Sequence, residues 1–221
     1  MFNAAFALMA LTPVAVTPTA PIAAAPIARV AVTAEKPVPL DTVVFAGGCF
    51  WGVQGVFQHV KGVVTATSGY AGGAVTNPSY TQVSTGRTGN AESVRVIFNP
   101  DEVSYATLMK IFFDVVHDPT QLNRQGPDVG TQYRSAVFYM NGAQRTQTLQ
   151  YIAWLQQSGT IKGRIVTEVA PLRGFYTAES YHQEYATLHP NEPYIRYNDL
   201  PKIEQLKERY PQLWSERLAS Y

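Results

Sequence analysis

The sequence contains one cysteine in 221 residues. An internal disulfide and a cysteine-rich zinc site are therefore both excluded, and four scattered histidines do not make a metal site either. A large excess of one charge is also missing, since 17 Lys and Arg residues face 16 Asp and Glu residues. This balance argues against nucleic acid or an anionic membrane surface as the main partner. Any thiol chemistry of the chain must depend on Cys49 alone.

The first 40 residues lack charge before Arg29 and are rich in Ala, Val, Pro and Thr. Their apolar run over residues 2–16 has the length of a signal peptide, although the basic n-region is missing. Four prolines exclude a continuous membrane-spanning helix, which needs about 20 apolar residues. We predict that residues 1–40 form a signal-like or disordered leader and that residues 41–221 form a single catalytic domain with a C-terminal tail. The leader predicts an exported or periplasmic protein, with a cytoplasmic location as the alternative.

With 46% hydrophobic residues, a chain of this length can bury the core of one domain. Strand-like apolar runs alternate with segments of helical period, and neighbouring strands are joined by loops rather than by crossovers. This order predicts an α+β fold, a two-layer sandwich with a mixed, mainly antiparallel sheet and long ordered loops. The predicted strands cover residues 43–46, 63–68, 93–98, 136–140 and 165–169, and residues 72–90 are predicted to be a long loop. The predicted helices cover residues 49–62, 104–116, 143–157, 179–186 and a stretch that begins at residue 199.

Cys49 stands where the first predicted strand passes into the first predicted helix. Two glycines break the strand just before the cysteine, and Phe50 and Trp51 follow it. At a helix N-terminus the free backbone N–H groups and the helix dipole favour an anion, so we expect the pKa of Cys49 to lie below its usual value of about 8.5. An isolated free cysteine is more often a small buried hydrophobe. The glycines and the two rings favour a nucleophile beside an aromatic pocket wall.

The pentapeptide GCFWG at residues 48–52 resembles the signature of the A-type methionine sulfoxide reductases, the peptide-methionine (S)-S-oxide reductases. Further landmarks of that family follow in the same order, and the resemblance covers roughly residues 41–199. They are SGYAGG at 68–73, PSYTQV at 78–83, GNAE at 89–92, HDPTQ at 117–121, DVGTQYRS at 128–135 and YHQ at 181–183. The resemblance implies reduction of the S epimer of methionine sulfoxide, free or in proteins.

Thiol-dependent reduction of a sulfoxide requires a nucleophilic sulfur, an acid for the departing oxygen and an apolar site for the methyl group. The resemblance makes Cys49 the nucleophile, which becomes a sulfenic acid, and Glu92 the acid. A glutamic acid in an apolar pocket stays protonated at neutral pH. Tyr80 and Tyr133 resemble the family's two tyrosines that donate hydrogen bonds to the sulfoxide oxygen and the acid. Asp128 matches the family's acidic residue that orders this loop, although a simple turn role is equally compatible with the sequence.

Phe50 and Trp51 are expected to hold the substrate methyl group, since sulfur and its methyl pack well on aromatic faces. His182 is expected to support the substrate pocket from behind rather than to act in the chemistry. The sequence departs from the family at Asn90, where the family usually has histidine, and at Gln54, where it often has glutamate. Both departures concern polar support around the site.

Many relatives reduce the sulfenic acid with cysteines in a C-terminal tail, but residues 199–221 contain none. We therefore expect an external thiol reductant, such as thioredoxin or glutathione with glutaredoxin. The resemblance implies no cofactor and no metal, and the chain is expected to be a monomer without a stable membrane span. Three alternatives remain open: a peroxide-reactive single-cysteine redox protein, a cysteine hydrolase that uses His117 or His182, and a non-enzymatic binding module.

Overall fold

A computed structural model of the chain describes Met1 and residues 39–221. The predicted leader lies almost wholly outside the described residues, and residues 39–221 belong to one compact unit. Within this unit, no helix combines the length and the hydropathy that a membrane crossing requires.

Eight strands form within residues 39–221, and six of them make one sheet. They are β1 (Asp41–Gly47), β2 (Val63–Ala71), β3 (Ala91–Phe98), β4 (Arg124–Gln125), β5 (Asp128–Val129), β6 (Ser135–Tyr139), β7 (Glu168–Pro171) and β8 (Phe175–Thr177). The sheet order is β7-β6-β1-β3-β2-β8, and all neighbours are antiparallel except the parallel pair β6 and β7. Strands β4 and β5 form a separate ribbon. The predicted α+β class with a mixed, mainly antiparallel sheet is confirmed.

Six α-helices accompany the strands in the same part of the chain. They are α1 (Phe50–Gln58), α2 (Tyr80–Ser84), α3 (Tyr105–Ile111), α4 (Gly142–Ser158), α5 (Tyr185–Leu188) and α6 (Leu200–Arg209). Single 3₁₀ turns occur at Thr131–Tyr133 and Ser180–His182, and π-helical turns occur at Phe112–Val116 and Ile195–Asp199.

Helix α1 lies on the sheet and places its N-terminus at the end of the central strand β1. The main core lies between them, where the ring of Phe45 stacks on Phe57 at 5.1 Å and on Phe112 at 4.6 Å. The opposite side of α1 packs against α6, since a side chain at Gly55 would overlap Ile203. Cys49 is therefore fixed between the middle of the sheet and the C-terminal helix.

Two predicted element bounds were wrong because contacts with distant segments decide them. Helix α1 ends at Gln58 rather than Gly62, since Val60 pairs with Trp214 and the following backbone N–H bonds the carbonyl of Leu213. Strand β7 begins at Glu168 rather than at residue 165, where its parallel register with β6 starts. Neither contact can be derived from local sequence.

Two other predictions were wrong because of local backbone geometry. The predicted loop at 72–90 contains α2, a short helix set by the reciprocal bonds of Ser79 and Gln82 in a capping box rather than by an apolar period. The predicted helix at 179–186 is instead a 3₁₀ turn followed by α5. It is divided because Glu184 adopts a left-handed conformation with φ 56°.

Candidate active site

Cys49 is the N-cap residue of α1 and lines a cavity of about 200 Å³. Gly48 precedes it with φ +94°, and a Cβ there would lie 2.7 Å from the side chain of Gln125, so glycine is required for this turn. Cys49 is 7% exposed. The sulfur is thus buried in the fold but borders a space that a small side chain can enter.

All five predicted catalytic residues and both predicted aromatic residues come together around this cavity. One further residue, Tyr194, was missed by the sequence reasoning. The lining residues are Cys49, Phe50, Trp51, Tyr80, Glu92, Asp128, Tyr133 and Tyr194.

Glu92 projects from β3 toward the N-terminus of α1. Its side chain is 2% exposed, and Oε2 accepts a hydrogen bond from the backbone N–H of Phe50 at 3.1 Å. Burial raises the pKa of Glu92 to about 8, with the charges of Asp128 and Asp199 adding to the effect and the Phe50 N–H opposing it. Glu92 is therefore mostly protonated at neutral pH and has a proton to donate.

The predicted low pKa of Cys49 was wrong. Burial raises the pKa of the Cys49 thiol well above its usual range, and the charges of Glu92 and Asp199 raise it further. The backbone N–H of Trp51 lowers the pKa of the thiol, but by less than burial raises it. The helix N-terminus cannot dominate, because Glu92 occupies its first free N–H and the sulfur is buried. The resting residue is a thiol.

Tyr80 and Tyr133 face the cavity from the first turn of α2 and from a 3₁₀ turn. Burial raises the pKa of both phenols, and the charge of Glu92 adds to the shift, so both remain hydrogen-bond donors. The backbone of Tyr80 is held by Glu179, whose carboxylate accepts from the Tyr80 N–H at 2.9 Å and from the Tyr70 hydroxyl at 2.8 Å.

Asp128 lies in the short ribbon of β4 and β5 and accepts a hydrogen bond from the hydroxyl of Tyr194. This bond ties the ribbon to the π-helical turn before α6. The loop-ordering role that the family resemblance implies for Asp128 is compatible with this bond and stays a prediction. Tyr194 is one of 13 tyrosines and belongs to no recognised motif, so the sequence offered no signal for it.

Trp51 forms one wall of the cavity and is held in place by two neighbouring side chains. Its ring stacks on Tyr185 at 3.9 Å, and its Nε1–H donates to Nδ1 of His182 at 3.2 Å. His182 is 2% exposed and lies behind the wall, with its ring 5.0 Å from that of Phe50. Burial lowers the pKa of His182, so a neutral ring that accepts from Trp51 fits the geometry. His182 is placed to orient Trp51 rather than to line the cavity.

Gln54, the departure from the family's usual glutamate, uses its hydrogen-bonding capacity fully. Its carbonyl oxygen accepts from the Ser68 hydroxyl and the Glu184 N–H, and its amide donates to Ala66 O and Gln183 Oε1. This network joins α1 to the segment that carries His182. The amide is therefore a sound replacement at this position.

Asn90, the other departure, fastens the loop before α2. Its Oδ1 accepts from the Gly73 N–H at 3.1 Å, and its Nδ2 donates to the carbonyl of Val75 at 2.9 Å. Asn90 is buried and points into this loop, so histidine is not needed there to hold the backbone.

The histidines do not support a cysteine hydrolase. The Nε2 atom of His117 is 2.7 Å from Ser135 Oγ, its Nδ1 bonds the carbonyl of Phe112, and burial lowers its pKa to about 4. His182 is engaged by Trp51. Within residues 39–221, no histidine bonds Cys49, and no group of three acidic, histidine or cysteine side chains could hold a metal ion.

A buried thiol and a protonated carboxyl that share one small aromatic cavity define a thiol-dependent oxidoreductase whose substrate is a side chain with an apolar end and a polar oxygen. A sequence model of the peptide methionine sulfoxide reductase family matches residues 41–214. The chain belongs to this family. It is an enzyme that reduces methionine sulfoxide to methionine.

Individual relatives agree with the family assignment. The chain is 53% identical over 184 residues to a peptide methionine sulfoxide reductase MsrA of Mesorhizobium japonicum, covering 83% of this chain and 94% of the relative. The solved methionine sulfoxide reductase A of Corynebacterium diphtheriae is similar with a TM-score of 0.62 and 36% identity, covering 71% of this chain and 77% of that one. Reduced Mxr1 of Saccharomyces cerevisiae gives a TM-score of 0.63 and 33% identity, with coverages of 71% and 89%. The predicted A-type reductase family and its reaction are confirmed.

Proposed function

We propose that Cys49 removes the oxygen from the S epimer of methionine sulfoxide, with Glu92 as the acid. The Cys49 sulfur bonds to the sulfoxide sulfur while Glu92 passes its proton to the sulfoxide oxygen. The bonds from the substrate sulfur to oxygen and to Cys49 then break as the oxygen bonds to the Cys49 sulfur, so methionine leaves and Cys49 becomes a sulfenic acid. The substrate sulfur gains the two electrons that the Cys49 sulfur loses. The Glu92 carboxylate takes up the proton of the thiol, so this step releases no net proton.

One observation carries the proposal: the Glu92 carboxyl accepts from the N–H of Phe50, the residue directly after Cys49, and both side chains border the same cavity. The acid and the nucleophile are thereby fixed on one site large enough for one side chain. The raised pKa of Glu92 supplies the proton at neutral pH. The raised pKa of Cys49 also weakens the peroxide-reactive alternative, because peroxide reacts with the thiolate.

The asymmetry of the cavity supports a preference for one sulfur configuration. Phe50 and Trp51 offer an apolar surface for the methyl group, whereas Glu92, Tyr80 and Tyr133 offer donors for the oxygen. When the methyl group and the oxygen occupy these two positions and the rest of the methionine side chain points out of the cavity, only one configuration of the sulfoxide sulfur fits. Free and peptide-bound methionine sulfoxide both satisfy this requirement.

Recycling is proposed to require an external thiol, because Cys49 is the only cysteine of the chain. A first thiol forms a mixed disulfide with Cys49 and releases water, and a second thiol frees Cys49 and leaves as the disulfide. Thioredoxin, or glutathione together with glutaredoxin, can supply these two thiols.

The signal-like residues 1–40 support the further proposal that the enzyme is exported. This proposal is contradicted if the protein isolated from cells keeps an intact N-terminus and is found in the cytoplasm.

The function is tested with the separated S and R epimers of methionine sulfoxide and a generic dithiol. We expect methionine from the S epimer and less than about 1% of that rate from the R epimer, since a reversed sulfur would exchange the methyl and oxygen positions. Hydrogen peroxide in the same assay serves as the control for general thiol reactivity. Equal rates with the two epimers would contradict the proposed arrangement.

A further inference from the structure

An ion pair beside the active site has no part in the mechanism described above. Asp199 ends the π-helical turn before α6 and is 0% exposed. Its Oδ1 accepts from Nζ of Lys202 at 3.3 Å, and its Oδ2 has no hydrogen-bond partner among the described residues. A buried carboxylate with one long ion pair is unfavourable for stability. Such an arrangement calls for a functional explanation.

The pair lies against the first turn of the helix that carries Cys49. A Cβ at Gly52 would be 2.2 Å from Asp199 Oδ1, so the carboxylate occupies the space that a side chain at this position would take. Gly52 is three residues after Cys49. Asp199 does not line the substrate cavity, and Lys202 is 19% exposed. The ion pair therefore lies next to the helix turn that begins at Cys49 but outside the substrate cavity.

We propose that the Asp199–Lys202 pair sets the charge state of Cys49: the Asp199 carboxylate favours the thiol, and the Lys202 ammonium favours the thiolate. This inference rests on the proposed function, in which Cys49 is the nucleophile. Asp199 and Lys202 are positioning residues that act through the charge of Cys49 and do not contact the substrate.

The charges around Cys49 explain why Asp199 has this effect at neutral pH. The titratable groups that face Cys49 are Glu92 from β3, Tyr80 from α2, Asp128 and Tyr133 from the ribbon and the turn after it, Tyr194 and Asp199 from the π-helical turn, and Lys202 from α6. Within residues 39–221, Lys202 is the cation that acts on the Cys49 pKa.

Glu92 and Asp199 differ in charge at neutral pH. Burial raises the pKa of Glu92 to about 8 but that of Asp199 only to about 6, where Lys202 opposes the shift. At pH 7 Glu92 is mostly neutral and Asp199 is mostly ionised. At pH 7 Asp199 is thus a carboxylate near Cys49 whose negative charge disfavours the thiolate, and Glu92 adds to this effect as it ionises at higher pH.

A protonated resting thiol suits a chain with one cysteine. A sulfenic acid formed by peroxide cannot be trapped here as an internal disulfide, and further oxidation to the sulfinic acid is irreversible. The thiol is much less reactive toward peroxide than the thiolate. Asp199 therefore limits oxidation of Cys49 between turnovers.

The proposal is tested by the rate at which iodoacetamide alkylates Cys49 from about pH 6 to about pH 10. In Asp199→Asn we expect the rate at pH 7 to rise about threefold to tenfold and the profile to move to lower pH, because a pKa shift of one unit changes the thiolate fraction about tenfold. In Lys202→Met we expect the profile to move to higher pH. Lys202→Arg keeps the charge and should match the wild type.

Lys207→Met is the matched control, since Lys207 lies on the same helix but pairs with Glu216 at the surface. It should leave the profile unchanged. Shifts of Asp199→Asn and Lys202→Met in the same direction, or no shift in either, would overturn the proposal. If Asp199→Asn fails to fold, the proposal is tested by comparing Lys202→Met with Lys202→Arg and Lys207→Met. Alkylation needs no turnover, so this result is independent of whether the enzyme reduces sulfoxides.

Discussion

Replacing Cys49 with serine is expected to lower the rate of methionine formation by about 10⁴-fold or more. A serine hydroxyl is a poor nucleophile toward sulfur and cannot carry the oxygen as a sulfenic acid. No second thiol exists in the chain to replace it. The measurement is methionine released from the S epimer with excess dithiol.

Serine is close in size to cysteine, so the cavity should persist in the Cys49→Ser variant. We expect its melting temperature to stay within a few degrees of the wild type, and we expect methionine sulfoxide to protect both proteins from thermal unfolding. These two readouts separate loss of the nucleophile from loss of the fold. Turnover above a few per cent of the wild-type rate would assign the chemistry to another group.

Glu92→Gln is expected to lower kcat/KM by about 10² to 10⁴-fold. The amide oxygen can still accept from the Phe50 N–H, so the helix N-terminus keeps its partner while the acidic proton is lost. Glu102→Gln is the matched control, because Glu102 is exposed and bonds Asn99 away from the cavity. It should retain wild-type activity. Equal effects of the two substitutions would contradict the role of Glu92.

The pH dependence of Glu92→Gln provides a second readout. In the wild type, kcat/KM should fall as pH rises through about 8, where Glu92 loses its proton, and this fall should be absent in the variant. Because the pKa of Glu92 is raised by folding, the native state binds more protons than the unfolded state between the two pKa values. The contribution of Glu92 to stability therefore decreases as pH rises through this interval to about 8. Glu92→Gln escapes that loss, so its stability relative to the wild type should increase with pH in thermal unfolding experiments.

The sequence was informative where function depends on local motifs. Seven of the eight residues that line the cavity belong to short sequence motifs, and these seven were predicted. Each motif lies next to a strand end or in a loop that borders the cavity. Tyr194 comes from the π-helical turn at Ile195–Asp199 and its flank, where no local pattern distinguishes it. It reaches the site through the packing of this turn against α1, where its ring lies 6.0 Å from that of Trp51.

The protonation of Cys49 could not be derived from the sequence for the same reason. Its place at a helix N-terminus is a local property, and it predicts a lowered pKa. Burial and the charge of Asp199, which arrives from 150 positions later in the chain, reverse that prediction. Local sequence therefore placed Cys49 correctly at the helix N-terminus but did not predict its charge state, and its role as nucleophile stays a prediction.

A single turnover in the absence of any thiol reductant decides whether oxygen passes from the substrate to Cys49. We predict that the enzyme forms one methionine per active site from the S epimer, that the R epimer gives none, and that the mass of the Cys49 peptide increases by about 16 Da as the sulfenic acid forms. Continued methionine formation without a reductant, or methionine without added oxygen on Cys49, would contradict the mechanism.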